Sequence, residues 1–143
     1  MVYYTVYSSS ARRALSDAEL QDILAASRRN NEPVGVTGLL LYVEGNFLQI
    51  LEGAQEDVES TYERIMRDER HSQILRLVSG HHPTRQFPDW SMGFRRVNRT
   101  ELDAQLPGFS DALERNQWSA FESEAVSRKV ATMMRAFRIV TRV

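Results

Sequence analysis

Six side chains in this sequence could do chemistry beyond packing: Tyr7, Asn30, Asn31, Gln49, Trp90 and Met92. A phenol, three amides, an indole and a thioether make poor hydrolytic centres. They make good hydrogen-bonding and electron-transfer surroundings for a planar heterocycle. Asparagine amides satisfy both a ring carbonyl and a ring N–H, and glutamine carries donor and acceptor at one tip, so it bridges two groups. Tyrosine can give an electron and a proton to an excited acceptor. Each residue also has an ordinary reading. Gln49 can be a structural amide, and the Asn30-Asn31 pair a turn or a helix cap.

Other chemistries are hard to assemble. The chain has no cysteine, which excludes disulfides, thiolate metal sites and cysteine nucleophiles. Its three histidines are His71, His81 and His82. The last two are adjacent, so in a strand they point to opposite faces and do not converge on a metal. The carboxylate pairs Glu56-Asp57 and Asp68-Glu69 read as solvated helix termini. No P-loop or glycine-rich nucleotide fingerprint is present.

Elements must position the six. Val2 to Tyr7 reads as a strand. Ser8-Ser9-Ser10 and the two arginines after it read as a loop. Ser16-Asp17-Ala18-Glu19 is a capping box that opens a helix with Leu20, Ile23, Leu24 and Ser27 on one face. Arg28 and Arg29 suit its last turn, where positive charge is favoured. Pro33 breaks the helix. Val36 to Val43 and Phe47 to Glu52 read as a β-hairpin around Glu44-Gly45-Asn46. Alternation puts Phe47, Gln49 and Leu51 on one face, with Leu48, Ile50 and Glu52 on the other. Gln49 is therefore an amide in apolar company that needs partners if buried. A second helix is predicted from about Gln55 to Asp68, with Val58, Tyr62, Ile65 and Met66 as its packing stripe. Strands follow at Ile74 to Ser79 and Trp90 to Val97, with a loop from Pro83 to Pro88 between them.

The order is β-α-β-β-α-β-β. It predicts an α+β sheet with two helices on one face, over residues 1–97, an arrangement that the resemblance given below implies to be ferredoxin-like. Residues 98–143 predict a helical appendage, with a short helix near Thr100 to Asp103, another turn or helix from Asp111 to Trp118, and a longer helix from Ala120. Five basic residues and no acidic one follow Glu124. That end reads as solvated charge around a helix packed on the sheet or on a partner. The chain of 143 residues has a net charge of -1, so no global field draws it to nucleic acid or to an anionic membrane. No apolar run reaches the length of a bilayer span, and the first residues lack a signal-peptide pattern, which predicts a cytoplasmic protein.

Several stretches together resemble the BLUF family of blue-light receptors using FAD. They are Tyr7-Ser8-Ser9, Ser27-Arg28-Arg29-Asn30-Asn31, Gly35-Val36-Thr37-Gly38-Leu39-Leu40-Leu41-Tyr42, Phe47-Leu48-Gln49-Ile50-Leu51-Glu52-Gly53, Arg67-Asp68-Glu69-Arg70-His71 and Arg85-Gln86-Phe87-Pro88-Asp89-Trp90-Ser91-Met92. The resemblance covers about residues 1–97. The remainder is similar to the helical appendage of small single-domain members.

The resemblance implies FAD held between the first two helices. It assigns Tyr7 as the redox-active phenol and Gln49 as the amide between Tyr7 and the flavin. Asn31 matches a ring-contacting asparagine, and Asn30 an adjacent position that varies among members. Trp90 and Met92 match the signalling segment, in which either approaches Gln49. Arg28, Arg29, Arg64 and Arg67 are candidates for the phosphate or ribityl side, or are surface charge. Ile23, Leu24, Leu40 and Ile65 line the ring or fill the core. Under blue light, Tyr7 donates an electron and a proton moves along the Tyr7-Gln49 chain and returns. Gln49 is left rotated or tautomerised.

Such a chain is not an enzyme. No catalytic effector fits in the 46 residues after Val97, so a separate effector is implied: a phosphodiesterase, a cyclase or a transcription regulator. A homo-oligomer is implied as well, because family members form dimers or larger rings. Two competing readings are a small flavin reductase, which lacks a nicotinamide motif here, and a ligand-free interaction module, which would purify colourless.

Overall fold

A computed structural model describes residues 1–11, 15–69, 71–85, 87–88 and 92–105. Their order is β1 (Val2–Ala11), α1 (Asp17–Asn31), a 3-10 turn (Glu32–Val34), β2 (Thr37–Val43), β3 (Asn46–Gly53), α2 (Gln55–Met66), β4 (His71–His82), β5 (Gly93–Arg96) and α3 (Arg99–Gln105). The strands form one sheet in the order β4-β1-β3-β2-β5. Only β5 runs parallel to its neighbour, β2. This is the α+β architecture that the hydrophobic periodicities predict.

Local signals set the boundaries. The Ser16 hydroxyl accepts from the Glu19 amide at 3.2 Å, and the Glu19 carboxylate accepts from the Ser16 amide at 3.2 Å. The capping box thus closes two of the orphan donors of α1. The β2–β3 hairpin turns on Glu44 and Gly45, with φ of 47° and 94°. Two left-handed residues in a two-residue loop match the natural strand twist. Gly38 is required by close approach, since a Cβ there would collide with the Ile50 carbonyl oxygen across the strand pair.

Both helices lie on one face of the sheet. Leu20 and Leu24 of α1 and Val58 and Tyr62 of α2 share a core with Tyr3, Tyr7, Leu40, Tyr42, Phe47 and Leu51. Within each strand those residues share one parity, hence one face. The opposite parity, Val6, Leu39, Leu41, Leu48 and Ile50, is fully buried as well. A sheet covered on both faces needs unbroken apolar runs, which accounts for Leu39-Leu40-Leu41.

Four expectations need correction. Ser8 to Ser10 are strand, not loop. Ser8 and Ser9 pair with Leu48 and Phe47 of β3, so the main chain is satisfied by a neighbour that local composition does not reveal. β4 extends from His71 to His82, well beyond Ile74 to Ser79, because it follows the lengthened β1. α2 ends at Met66, and Met66 is exposed while Thr61 is buried in its stripe. The last strand begins at Gly93. The short helix expected near Thr100 is α3, whose Asn98 side chain accepts from the Glu101 amide at 2.8 Å. The helices expected from Asp111 and Ala120, like Trp90, lie outside the described residues.

Among the described residues, no helix is long and apolar enough to cross a membrane.

Candidate functional site

Three neighbouring strands set one row of side chains across the sheet. Tyr7 of β1 stands opposite Gln49 of β3, and Gln49 stands opposite Leu40 of β2. All three are buried on the helix-bearing face. Gln49 is the amide in apolar company that the alternation predicts. Its Nε2 donates to the Met92 sulfur at 3.1 Å. Met92, 1% exposed, lies immediately before β5. Of the two candidates for the neighbour of Gln49, Met92 touches its amide, and Trp90 lies outside the described residues.

The row forms the floor of a cleft of about 650 Å³, counting the open space at its mouth. Its walls follow from helical spacing. α1 contributes Ile23, Ala26, Ser27, Asn30 and Asn31, and α2 with the turn after it contributes Thr61, Arg64, Ile65 and Asp68. Each set advances by three or four residues and so lies on one helix face. Phe47 completes the floor two residues from Gln49, on the same strand face. Apolar walls with a few converging amides suit a flat heterocycle.

The Asn31 side chain makes no capping bond to the 3-10 turn that follows. Instead the Asn31 carbonyl accepts from the Val36 amide at 3.1 Å, which ties the end of α1 to the start of β2. Burial pushes the Tyr7 phenol well above its usual pKa, and the Tyr62 and Asp68 groups add to the rise. Tyr7 is therefore a neutral, protonated phenol at physiological pH. The Tyr62 ring meets it edge-on with centroids 5.3 Å apart. On its other side Tyr62 carries the Arg76 guanidinium, 4.1 Å from its centroid.

The remaining candidates separate. Arg64 lines the cleft, while Arg29 and Arg67 are exposed and do not. Arg28 turns the other way, and its Nε donates to the Met92 carbonyl at 3.0 Å. Leu24 lies in the core beneath α1. Ala26, Phe47, Thr61 and Asp68 line the cleft without having been singled out. Extending the spacing of Ile23 and Ile65 by one turn in each direction, and that of Gln49 by two residues, would have found them. Two of the histidines serve packing: His81 meets the Tyr3 ring edge-on and His82 stacks on Tyr4 at 3.9 Å.

A ferredoxin-like sheet with an amide-lined cleft between its two helices defines a small heterocycle-binding domain. Residues 2–93 match the family described as sensors of blue-light using FAD, and the chain belongs to that BLUF family. The chain is 32% identical over 111 residues to the blue light- and temperature-regulated antirepressor BluF of Escherichia coli (strain K12). That match covers 78% of this chain and 28% of the relative. It is also 32% identical over 108 residues to the photoactivated adenylate cyclase subunit beta of Euglena longa, covering 75% of this chain and 12% of that protein. It thus spans under a third of the length of either. The dark-state structure of BlrB, a BLUF protein, superposes with a TM-score of 0.73 at 32% identity, over 95% of this chain and 96% of that one. The FAD-dependent, light-sensing character of the family fits the apolar walls and convergent amides of the cleft.

Proposed function

We propose that this BLUF chain signals blue light through a single switch, the Gln49 amide, with Tyr7 as its electron and proton donor and a separate protein as its effector. The observation that carries the reading is the 3.1 Å contact from Gln49 Nε2 to the Met92 sulfur. Bound FAD supplies the absorption of blue light and an excited state that takes an electron.

The chain's residues do the rest. Tyr7 would give its electron to that excited state and its phenolic proton to Gln49, its cross-strand neighbour, and both would return as the excitation decays. The low dielectric of the site favours a concerted path, because a bare phenolate or an unpaired cation there is costly. Gln49 is left turned over or as its tautomer. A thioether sulfur accepts hydrogen bonds but donates none. A turned amide that presents its oxygen to Met92 therefore loses a bond and leaves two acceptors facing each other. Met92 must move, and the strand that begins at Gly93 moves with it. The difference between the two states is a difference in contacts, as signalling requires.

Asn30 and Asn31 would hold the polar edge of the ring, with Ile23, Leu40 and Ile65 against its faces. Leu24 supports that wall from the core. Arg64 would meet the ribityl or phosphate chain, and the exposed Arg29 and Arg67 would meet phosphate at the mouth. The output is a change in contact with an effector such as a cyclase, a phosphodiesterase or a transcription regulator. The chain itself would act as a cytoplasmic homo-oligomer without catalysing a reaction.

Blue illumination of the purified protein should give a reversible red shift with the flavin still oxidised. Gln49→Leu should keep the yellow colour and lose that shift. A parent-like shift in Gln49→Leu would defeat the switch assignment. Equal affinity for every candidate effector in light and dark would defeat the output claim.

A further inference from the structure

We propose that Arg28 is a positioning residue, a strut from α1 that converts the turning of Gln49 into movement of β5. This rests on the Gln49 switch proposed above. Met92 is held at two points. Its sulfur accepts from Gln49 Nε2 at 3.1 Å, and its carbonyl accepts from Arg28 Nε at 3.0 Å.

The second point matters because the first is soft. Methionine has three rotatable side-chain bonds and adapts readily to a changed neighbour. With a slack main chain, a turned amide would be absorbed by a new Met92 rotamer and nothing would travel further. Arg28 removes that slack. Its planar guanidinium is pre-organised, so little freedom is lost when it fixes a carbonyl. The residue also sits in the turn of α1 that supplies Ser27, Asn30 and Asn31 to the cleft. The same helix end therefore meets the ring site on one side and the Met92 main chain on the other.

The element that receives the push is suited to move. β5 is four residues long, lies at the edge of the sheet and pairs with β2 from Gly93 opposite Leu39. Short edge elements have the smallest local opening free energies. A last-turn arginine ordinarily complements the helix dipole. Arg28 directs its Nε to the carbonyl of a residue 64 positions away instead.

The test compares the parent, Arg28→Ala and Arg28→Lys. FAD content, the red shift and amide exchange of residues 93–97 are read in dark and light. The methyl resonance of Met92 is read in FAD-free protein and assigned with Met92→Leu. Arg28→Ala should keep FAD content and red shift within about twofold of the parent, while the light-minus-dark exchange difference over residues 93–97 falls about threefold or more. Its Met92 methyl should shift in the FAD-free protein. Arg28→Lys should restore part of the exchange difference, since the ammonium keeps a donor without the fork.

Loss of FAD from Arg28→Ala would overturn the proposal in favour of a phosphate contact. A red shift in the parent with an unaltered β5 difference in Arg28→Ala would overturn the coupling alone. Absence of any red shift in the parent would overturn the switch and the coupling together.

Discussion

Tyr3 and Tyr7 sit four residues apart on the same strand and the same face, yet their surroundings give them different work. The Tyr3 hydroxyl donates to Glu59, whose carboxylate is also held by a two-bond pairing with Arg76 at 2.9 and 3.1 Å. Tyr7 faces the neutral amide of Gln49 in the cleft. Both phenols have raised pKa values, in each case first through burial. For Tyr3 the Glu59 hydrogen bond and charge raise it further, against Ser79 and Arg76, which lower it. A phenol whose proton is committed to a charged carboxylate is a structural clamp. A phenol beside an amide that can both give and take a proton is, in the function proposed, one end of a relay. The residue type is shared, and the cross-strand neighbour and the helix overhead make the difference.

This contrast can be broken at several strengths. Tyr7→Phe should abolish the reversible red shift while the protein stays yellow, and a normal photocycle in that variant would end the relay assignment. Met92→Leu keeps volume but removes the sulfur acceptor. It should change the dark recovery rate by about tenfold, the effect of roughly 1.4 kcal/mol on a barrier, with FAD content unchanged in an extracted-flavin assay. Tyr3→Phe should leave the photocycle as it is and lower stability in urea by only about 1 kcal/mol, since its hydrogen bond is partly solvated.

Titration should give the smallest effects, and in opposite directions. Burial works to raise the Glu59 pKa, but hydrogen bonds from Tyr3 and Arg76 and the Arg76 charge outweigh it and hold it below 4.5. Its contribution is present above the unfolded value and lost as pH falls through the folded one. A modest acid-side destabilisation is therefore expected in the parent and should be absent from Glu59→Gln. Tyr7 behaves conversely. Its folded pKa lies above 10.0, so its share of stability is complete below that pH and declines as pH rises past it. The red shift should survive to pH 10, and its loss near pH 8 would contradict a buried neutral donor.

Much of the frame is legible in the residues. Ser16 and Glu19 announce the start of α1, Glu44-Gly45 the hairpin, and strand alternation the face that Gln49 shares with Phe47 and Leu51. These signals act over two to four residues, through backbone sterics and short hydrogen bonds, so they survive without the rest of the molecule. The BLUF resemblance points to Tyr7, Gln49, Asn31, Trp90 and Met92 as a group. Where composition misleads, the cause is a distant neighbour. Ser8 to Ser10 form strand because β3 and β4 pair with them, and Met66 faces solvent although its helical spacing suits the core.

Periods, caps and turns were thus set by neighbouring residues, because the forces behind them are short-ranged. The docking of Met92 on Gln49, and the bond from Arg28 to the Met92 carbonyl, belong to the folded molecule. Those contacts join residues 43 and 64 positions apart. A bond of about 3 Å between such residues exists only once strand order, register and helix placement have closed the chain upon itself.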